Sequence, residues 1–290
     1  MNHKHRIAWV GTATIALCAS SALAAGSPWL PPPGGGSLAI SYVTQSATEF
    51  YRSTAKRPTP GGGADLAQET LWIEGSYGLA DAWALDVRFG QASSSFVTGP
   101  GLPPSQANIS GLADMNLGVV WRVVDEIVRP SAPSVAFRAA AIKAGDYDTG
   151  YINSLGDGGD GLEFSVIVGK FVSDRFALSG EVGQRTRNSS THEIPDSVYA
   201  RFLAGVIVGN RLSLSLSYEI DDSRSGIEIG GPGFSPSRFP ELQEDIQLAG
   251  ATASYTVSDR VSVGASLAKV VDGRNTAASD VRSISVSVSF

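Results

Sequence analysis

The feature that most constrains this chain is a two-residue alternation of apolar and polar side chains, recurring from about residue 37 to the last residue. Successive side chains on a strand point to opposite faces, so this period marks strands with one apolar and one polar face. Trp83, Leu85, Val87 and Phe89 alternate with Ala84, Asp86, Arg88 and Gly90. Met115, Leu117, Val119 and Trp121 alternate with Asp114, Asn116, Gly118 and Arg122. Leu162, Phe164, Val166 and Val168 alternate with Glu163, Ser165 and Gly169. Leu212 to Tyr218 and Ile284 to Phe290 alternate with serines. Shorter stretches around Leu38–Tyr42, Leu71–Tyr77, Val135–Ala141, Phe176–Val182, Val198–Val206, Ala249–Val257 and Val261–Leu267 bring the expected strands to about a dozen. The facing of Ala249–Val257 is left open by its small side chains.

The connections carry a second regularity. Short ones (Gly78–Ala82, Val124–Pro133, Val172–Asp174, Val208–Arg211, Ser258–Arg260) alternate with long ones (Gln45–Asp65, Ala92–Ser110, Ala144–Asp160, Arg185–Asp196, Asp221–Gln243, Asp272–Asp280). A soluble β-sandwich also alternates, but it has no reason to sort its loops by length. A transmembrane antiparallel up-and-down β-barrel does, with short periplasmic turns and long outer loops. An even strand number then places both termini in the periplasm. Tyr77, Trp83, Trp121, Phe171, Phe176, Tyr255 and Phe290 fall near the expected periplasmic ends and suit an interfacial girdle. Phe89, Phe96 and Tyr218 are candidates for the outer girdle.

The start of the chain reads as an export signal. Lys4 and Arg6 precede an apolar run from Ile7 through Leu17, and Ala22-Leu23-Ala24 offers a small-x-small cleavage pattern. The expected organisation is a signal peptide over 1–24, a periplasmic lead-in over 25–36 and one barrel over 37–290. The single cysteine, Cys18, lies in the signal, so the mature chain has no thiol chemistry. Of 22 basic and 28 acidic residues, the signal takes two basic ones. The acidic mature chain argues against a nucleic-acid partner. No later stretch approaches the ~18 apolar residues of a membrane helix, which says nothing against a barrel.

Several features bear on function. The end Ile284, Val286, Val288, Phe290 is the pattern that the barrel-assembly machinery of Gram-negative cells would seize by β-augmentation, making that machinery an expected partner beside outer-membrane lipid. Asp86, Arg88, Arg122, Arg138, Glu163, Glu181, Arg201 and Glu219 fall on the polar faces and are candidates to line the lumen. Charges of both signs could line a solute path or pair across a narrow barrel and fill it. Asp146 to Asp160 is rich in Asp and Gly but lacks EF-hand spacing, and turn chemistry accounts for it. His192 is the sole mature histidine and has no strand-borne serine beside it in sequence, so a Ser–His hydrolase is disfavoured. No catalytic residue, metal site or cofactor is expected.

Several segments together resemble the MetA-pathway, phenol-degradation type of outer-membrane barrel. They are Trp29-Leu-Pro31, Ser76-Tyr-Gly-Leu-Ala-Asp81, Gly111-Leu-Ala-Asp114, Gly145-Asp-Tyr-Asp148, Ser154-Leu-Gly-Asp157, Gly273-Arg-Asn-Thr276 and the terminal Phe290. The resemblance implies a channel or transporter for small, often hydrophobic or aromatic compounds, and no site motif comes with it. A filled structural barrel whose outer loops bind a surface partner stays open beside that reading.

Overall fold

The structure is a computed structural model and describes residues 27–96 and 107–290. The expected signal peptide and Cys18 lie outside the described residues.

A strand in lipid has no water to satisfy its N–H and C=O groups, so a sheet in a membrane must close on itself. Twelve antiparallel staves do so here. The first three are β1 (Gly36–Ala47), β4 (Leu66–Ala80) and β5 (Trp83–Phe96), with the hairpin β2 (Glu49–Arg52) and β3 (Ala55–Pro58) standing above the barrel. The fourth stave is interrupted. Its two parts, β6 (Asn108–Leu112) and β7 (Met115–Val124), both lie against β5, with Ala113 and Asp114 between them. Then follow β8 (Ser134–Lys143), β9 (Asp160–Ser173), β10 (Phe176–Asn188), β11 (Ser197–Val208), β12 (Leu212–Ser223), β13 (Asp245–Thr256), β14 (Val261–Arg274) and β15 (Asp280–Ser289). Each stave pairs with its sequence neighbours, β6 through β5 alone, and β1 pairs with both β4 and β15, from Ser37↔Ser289 to Ser46↔Asp280, which closes the barrel.

The alternation sorts side chains as the period requires. Apolar residues cover the outer wall and stay exposed to it, with Leu216 and Leu267 at 65% and Ile284 at 64%. The inner wall of β12–β15 is mostly serine: Ser213, Ser215, Ser254, Ser262, Ser266, Ser283 and Ser287 are buried. On β13, Ala251, Ala253 and Tyr255 take the outer face, while Leu248 packs inside with Val43, Ala268 and Val281. That resolves the facing of this strand. Trp83 and Trp121 stack 5.6 Å apart on the outer face near the short turns, with Phe137 beside Trp121.

Several expectations need correction. Phe171 does not join the periplasmic girdle; it shares the inward parity of Glu163 and Ser165 and packs on Trp29 inside the mouth. Phe96 is no outer-girdle residue, for it is 2% exposed at the inner top of β5. Arg185 and Asp221 belong to strands, not loops, because β10 continues to Asn188 and β12 to Ser223.

Candidate functional site

The barrel interior is the site, and it has three levels. At mid-height lies a network of ions. The guanidinium of Arg138 donates two bonds to Asp86, from Nε to Oδ2 (2.9 Å) and from Nη2 to Oδ1 (2.6 Å), and one from Nη1 to Glu163 Oε1 (2.5 Å). It also reaches Asn116. Arg185 links the other oxygen of Glu163 (3.0 Å) to Asp221 (2.8 Å). Arg201 donates to Glu219 (3.0 Å) and Glu181 (3.5 Å), and Glu181 also accepts from Ser165 and Tyr199. Arg201 lies 4.5 Å from the Tyr199 ring centroid. Arg88 pairs with Glu74 (3.3 Å) and lies over Trp72 at 4.0 Å.

Such close approach needs absent side chains. A Cβ on Gly118 would come 2.6 Å from Asp86 Oδ1 and 2.8 Å from Arg138 Nη2. One on Gly183 would meet the Tyr199 ring at 2.4 Å, and Tyr199 is fully buried. A buried charge is tolerable only when paired and hydrogen-bonded, and these glycines make the room in which the pairing forms.

Seven of the eight lumen candidates therefore fall into these paired clusters: Asp86, Arg138 and Glu163; Glu181, Arg201 and Glu219; and Arg88. Arg122 does not. It donates to the Asp81 carbonyl (2.7 Å) and pairs with Asp125 (2.9 Å) at the short turns. Glu74, Asn116, Arg185, Tyr199 and Asp221 were missed. Continued parity was the available signal: Arg185 follows Glu181 and Gly183, and Asp221 follows Glu219.

Above the ions the interior turns apolar. Trp72 packs on one side with Val43, Ala268, Val281 and Leu248. On the other it meets Ala92, Ile109, Ala113 and Leu155, joined by Tyr147 and Tyr151. Residues 144–159 fold inward to supply those last contacts. Asp114, at the break between β6 and β7, accepts from Gly145 N (3.0 Å) and the Tyr147 hydroxyl (2.6 Å), and that hydroxyl accepts from Gly158 N (2.9 Å). Burial, then the nearby Asp114 charge, holds the Tyr147 phenol well above its usual range, so it stays a neutral donor.

Both mouths carry packed segments. Outside, the β2–β3 hairpin lies against 224–244 and 275–279: Tyr51 N donates to the Thr276 carbonyl (2.8 Å), Ser53 Oγ to Glu228 (2.6 Å), and Phe50 meets Phe239 edge-on. His192 Nδ1 lies 3.2 Å from Glu241 Oε1, with Arg238 on the other carboxylate oxygen. The histidine thus ties one loop to another. In 144–160, Asp157 pairs with Arg187 and Asp160 with Lys143. Among the described residues no cluster of His, Cys, Asp or Glu could hold a metal.

At the end of the short turns, Ser27–Gly35 runs across the mouth. Trp29 is 5% exposed, donates from Nε1 to Glu126 (2.7 Å) and packs 4.8 Å from Phe171. Leu30 meets Val120, Ala136 and Ile167 on the inner wall. A segment read from its Pro and Gly as a plain lead-in is therefore a packed part of the interior.

No protein-family model matches this sequence, and no curated protein matches it. Solved structures do. An outer membrane channel described as COG4313, from Pseudomonas putida F1, superposes with a TM-score of 0.73 at 14% identity, covering 92% of this chain and 100% of that one. The NanC porin follows with a TM-score of 0.51 at 7% identity, over 87% and 98%. At such identities the likeness is one of fold. With the closed sheet and apolar outer wall, it defines the fold class: a 12-stranded transmembrane antiparallel β-barrel, the architecture of those outer-membrane proteins.

Proposed function

We propose that this barrel passes small hydrophobic or aromatic compounds across the outer membrane. The observation that carries this is the apolar surface around Trp72, inside the lumen and beside the ion network. A porin for charged solutes gains from a net field along its path. Here all three guanidiniums of the two main clusters are paired with carboxylates, which leaves a small negative excess and no free cation among them, and the surfaces beside them are apolar or hydroxyl-bearing. Such a wall favours an uncharged, apolar solute. On this reading Ser27–Gly35 and the inward loop narrow the path at either end, and a compact solute passes between the ions and the serine-lined wall of β12–β15.

The test is uptake of labelled toluene and labelled arabinose by intact Gram-negative cells expressing the protein. The expected result is faster toluene uptake than in vector controls, little change for arabinose, and loss of the gain in Trp72→Glu. Equal toluene uptake with and without the protein would favour the filled barrel with partner-binding loops.

A further inference from the structure

The outer wall carries one cation out of keeping with its surroundings. Side chains in contact with lipid should be apolar, and a charge there is costly unless it reaches the interface or an anion. Lys143 pairs with Asp160 (2.7 Å) and Lys269 with Asp280 (2.9 Å) near the outer rim. Arg282 lies below that rim on β15, between Thr44 of β1 and Leu267 of β14, with the outward parity of Ile284 and Val286. It has no carboxylate partner among the described residues. Along a tilted strand it stands roughly 20 Å above Phe290, close to the outer boundary of a ~25 Å apolar band.

Beneath Arg282 the wall is hollow. At this level β13 presents Ala251 and Ala253 to lipid, with Leu216 and Leu267 flanking Ala251, Ala265 beside Ala253, and Ala204 of β11 beyond Leu216. The trough holds about 980 Å³ and its lining is almost wholly apolar, with Arg282 as the charged group. A cation at the top and a chain-wide apolar trough below match one occupant on this side of the membrane. That occupant is the phosphorylated glycolipid of the outer leaflet.

We propose that this face of β11–β15 binds lipid A, with a phosphate on Arg282 and an acyl chain along the alanine trough. The guanidinium offers two parallel N–H donors to a phosphate, so it is suited to more than a diffuse charge. The trough replaces contacts that larger side chains on β13 would otherwise make, and the acyl chain fills it.

The test uses the folded, delipidated barrel in detergent micelles. Equal amounts of diphosphoryl lipid A and phosphatidylglycerol are added, and bound lipid is read by native mass spectrometry. Each variant is first checked for the heat-modifiable gel mobility of a closed barrel. Wild type should retain lipid A in preference to phosphatidylglycerol. Arg282→Gln should lower the retained fraction about tenfold, the scale of one lost charge-assisted contact, with Arg282→Lys recovering part of it. Ala253→Phe should lower it with Arg282 intact. Should Arg282→Gln fail to close, Arg282→Lys against Ala253→Phe decides. Retention indifferent to charge and trough, or equal retention of the two lipids, would overturn the assignment.

Discussion

At the scale of single residues, Arg138 shows how this interior is held. It is 2% exposed and bonds Asp86, Asn116 and Glu163 from three different strands. Removing it leaves Asp86 without a cation and Glu163 with Arg185 alone. Breaking a buried pair in this way costs roughly 3–5 kcal/mol, whereas replacing the whole cluster with apolar residues often costs little. Arg138→Met should therefore shift the urea midpoint of the barrel strongly downward. The triple change Asp86→Leu, Arg138→Met, Glu163→Leu should restore much of the loss. A single mutant as stable as wild type would mean that the ions are not coupled. A second residue makes the outer cap sensitive to pH. Burial, opposed by a Thr276 hydrogen bond and reinforced by Asp221, pushes the Glu244 carboxyl up to about 7. A raised carboxyl pKa favours the protonated, folded form. Its contribution is complete below the ordinary range near ~4.3 and is lost as pH rises through about 7. Amides of 224–244, after correction for intrinsic exchange, should lose protection between about pH 5 and about pH 8, and Glu244→Gln should flatten that change. Unchanged protection in wild type over that window would contradict this.

At the scale of elements, the period-two pattern decides which face meets lipid, and neighbouring positions on one strand provide a test. Leu216 is 65% exposed on the outer face of β12, and Ser217 points inward. Arg at the first should cost ~2–4 kcal/mol, and at the second clearly less. The free energies of folding into detergent or lipid would show it, and equal costs would mean that the facing is wrong. The strands, their order and the sorting of loops by length were legible in the sequence, because parity and turn chemistry are local. The misplacements have one cause. Phe171, Arg185 and Asp221 each keep the parity of their strand beyond the point where the apolar partner residues give out. Reading strands only as far as the hydrophobic signal lasts therefore cut them short. The stave broken at Ala113–Asp114 has another. An interruption there leaves Asp114 free to anchor 144–159, and nothing in alternation encodes a contact between residues so far apart in sequence.

At the scale of the whole molecule, the barrel is a wall with structured contents. Ser27–Gly35, the ion network, the inward loop and the outer cap occupy successive depths of one interior. The candidate charges were visible in the sequence as a set, but their pairing was not. Pairing depends on which strands face across the lumen and on glycines such as Gly118 that let side chains meet. The apolar surface around Trp72 was not visible at all, since it combines inward residues of β1, β4, β14 and β15 with a loop. Whether solute passes along that apolar surface is the claim on which the functional reading stands. Ala268 lies in that surface, packed with Val43 and Val281, so a group attached there would obstruct the path without touching the ion pairs. The most direct measurement is toluene uptake by cells carrying Ala268→Cys, before and after reaction with a maleimide. Unreacted variant should match wild type, and labelling should bring uptake down to the vector level. Undiminished uptake by fully labelled protein would contradict passage along that surface.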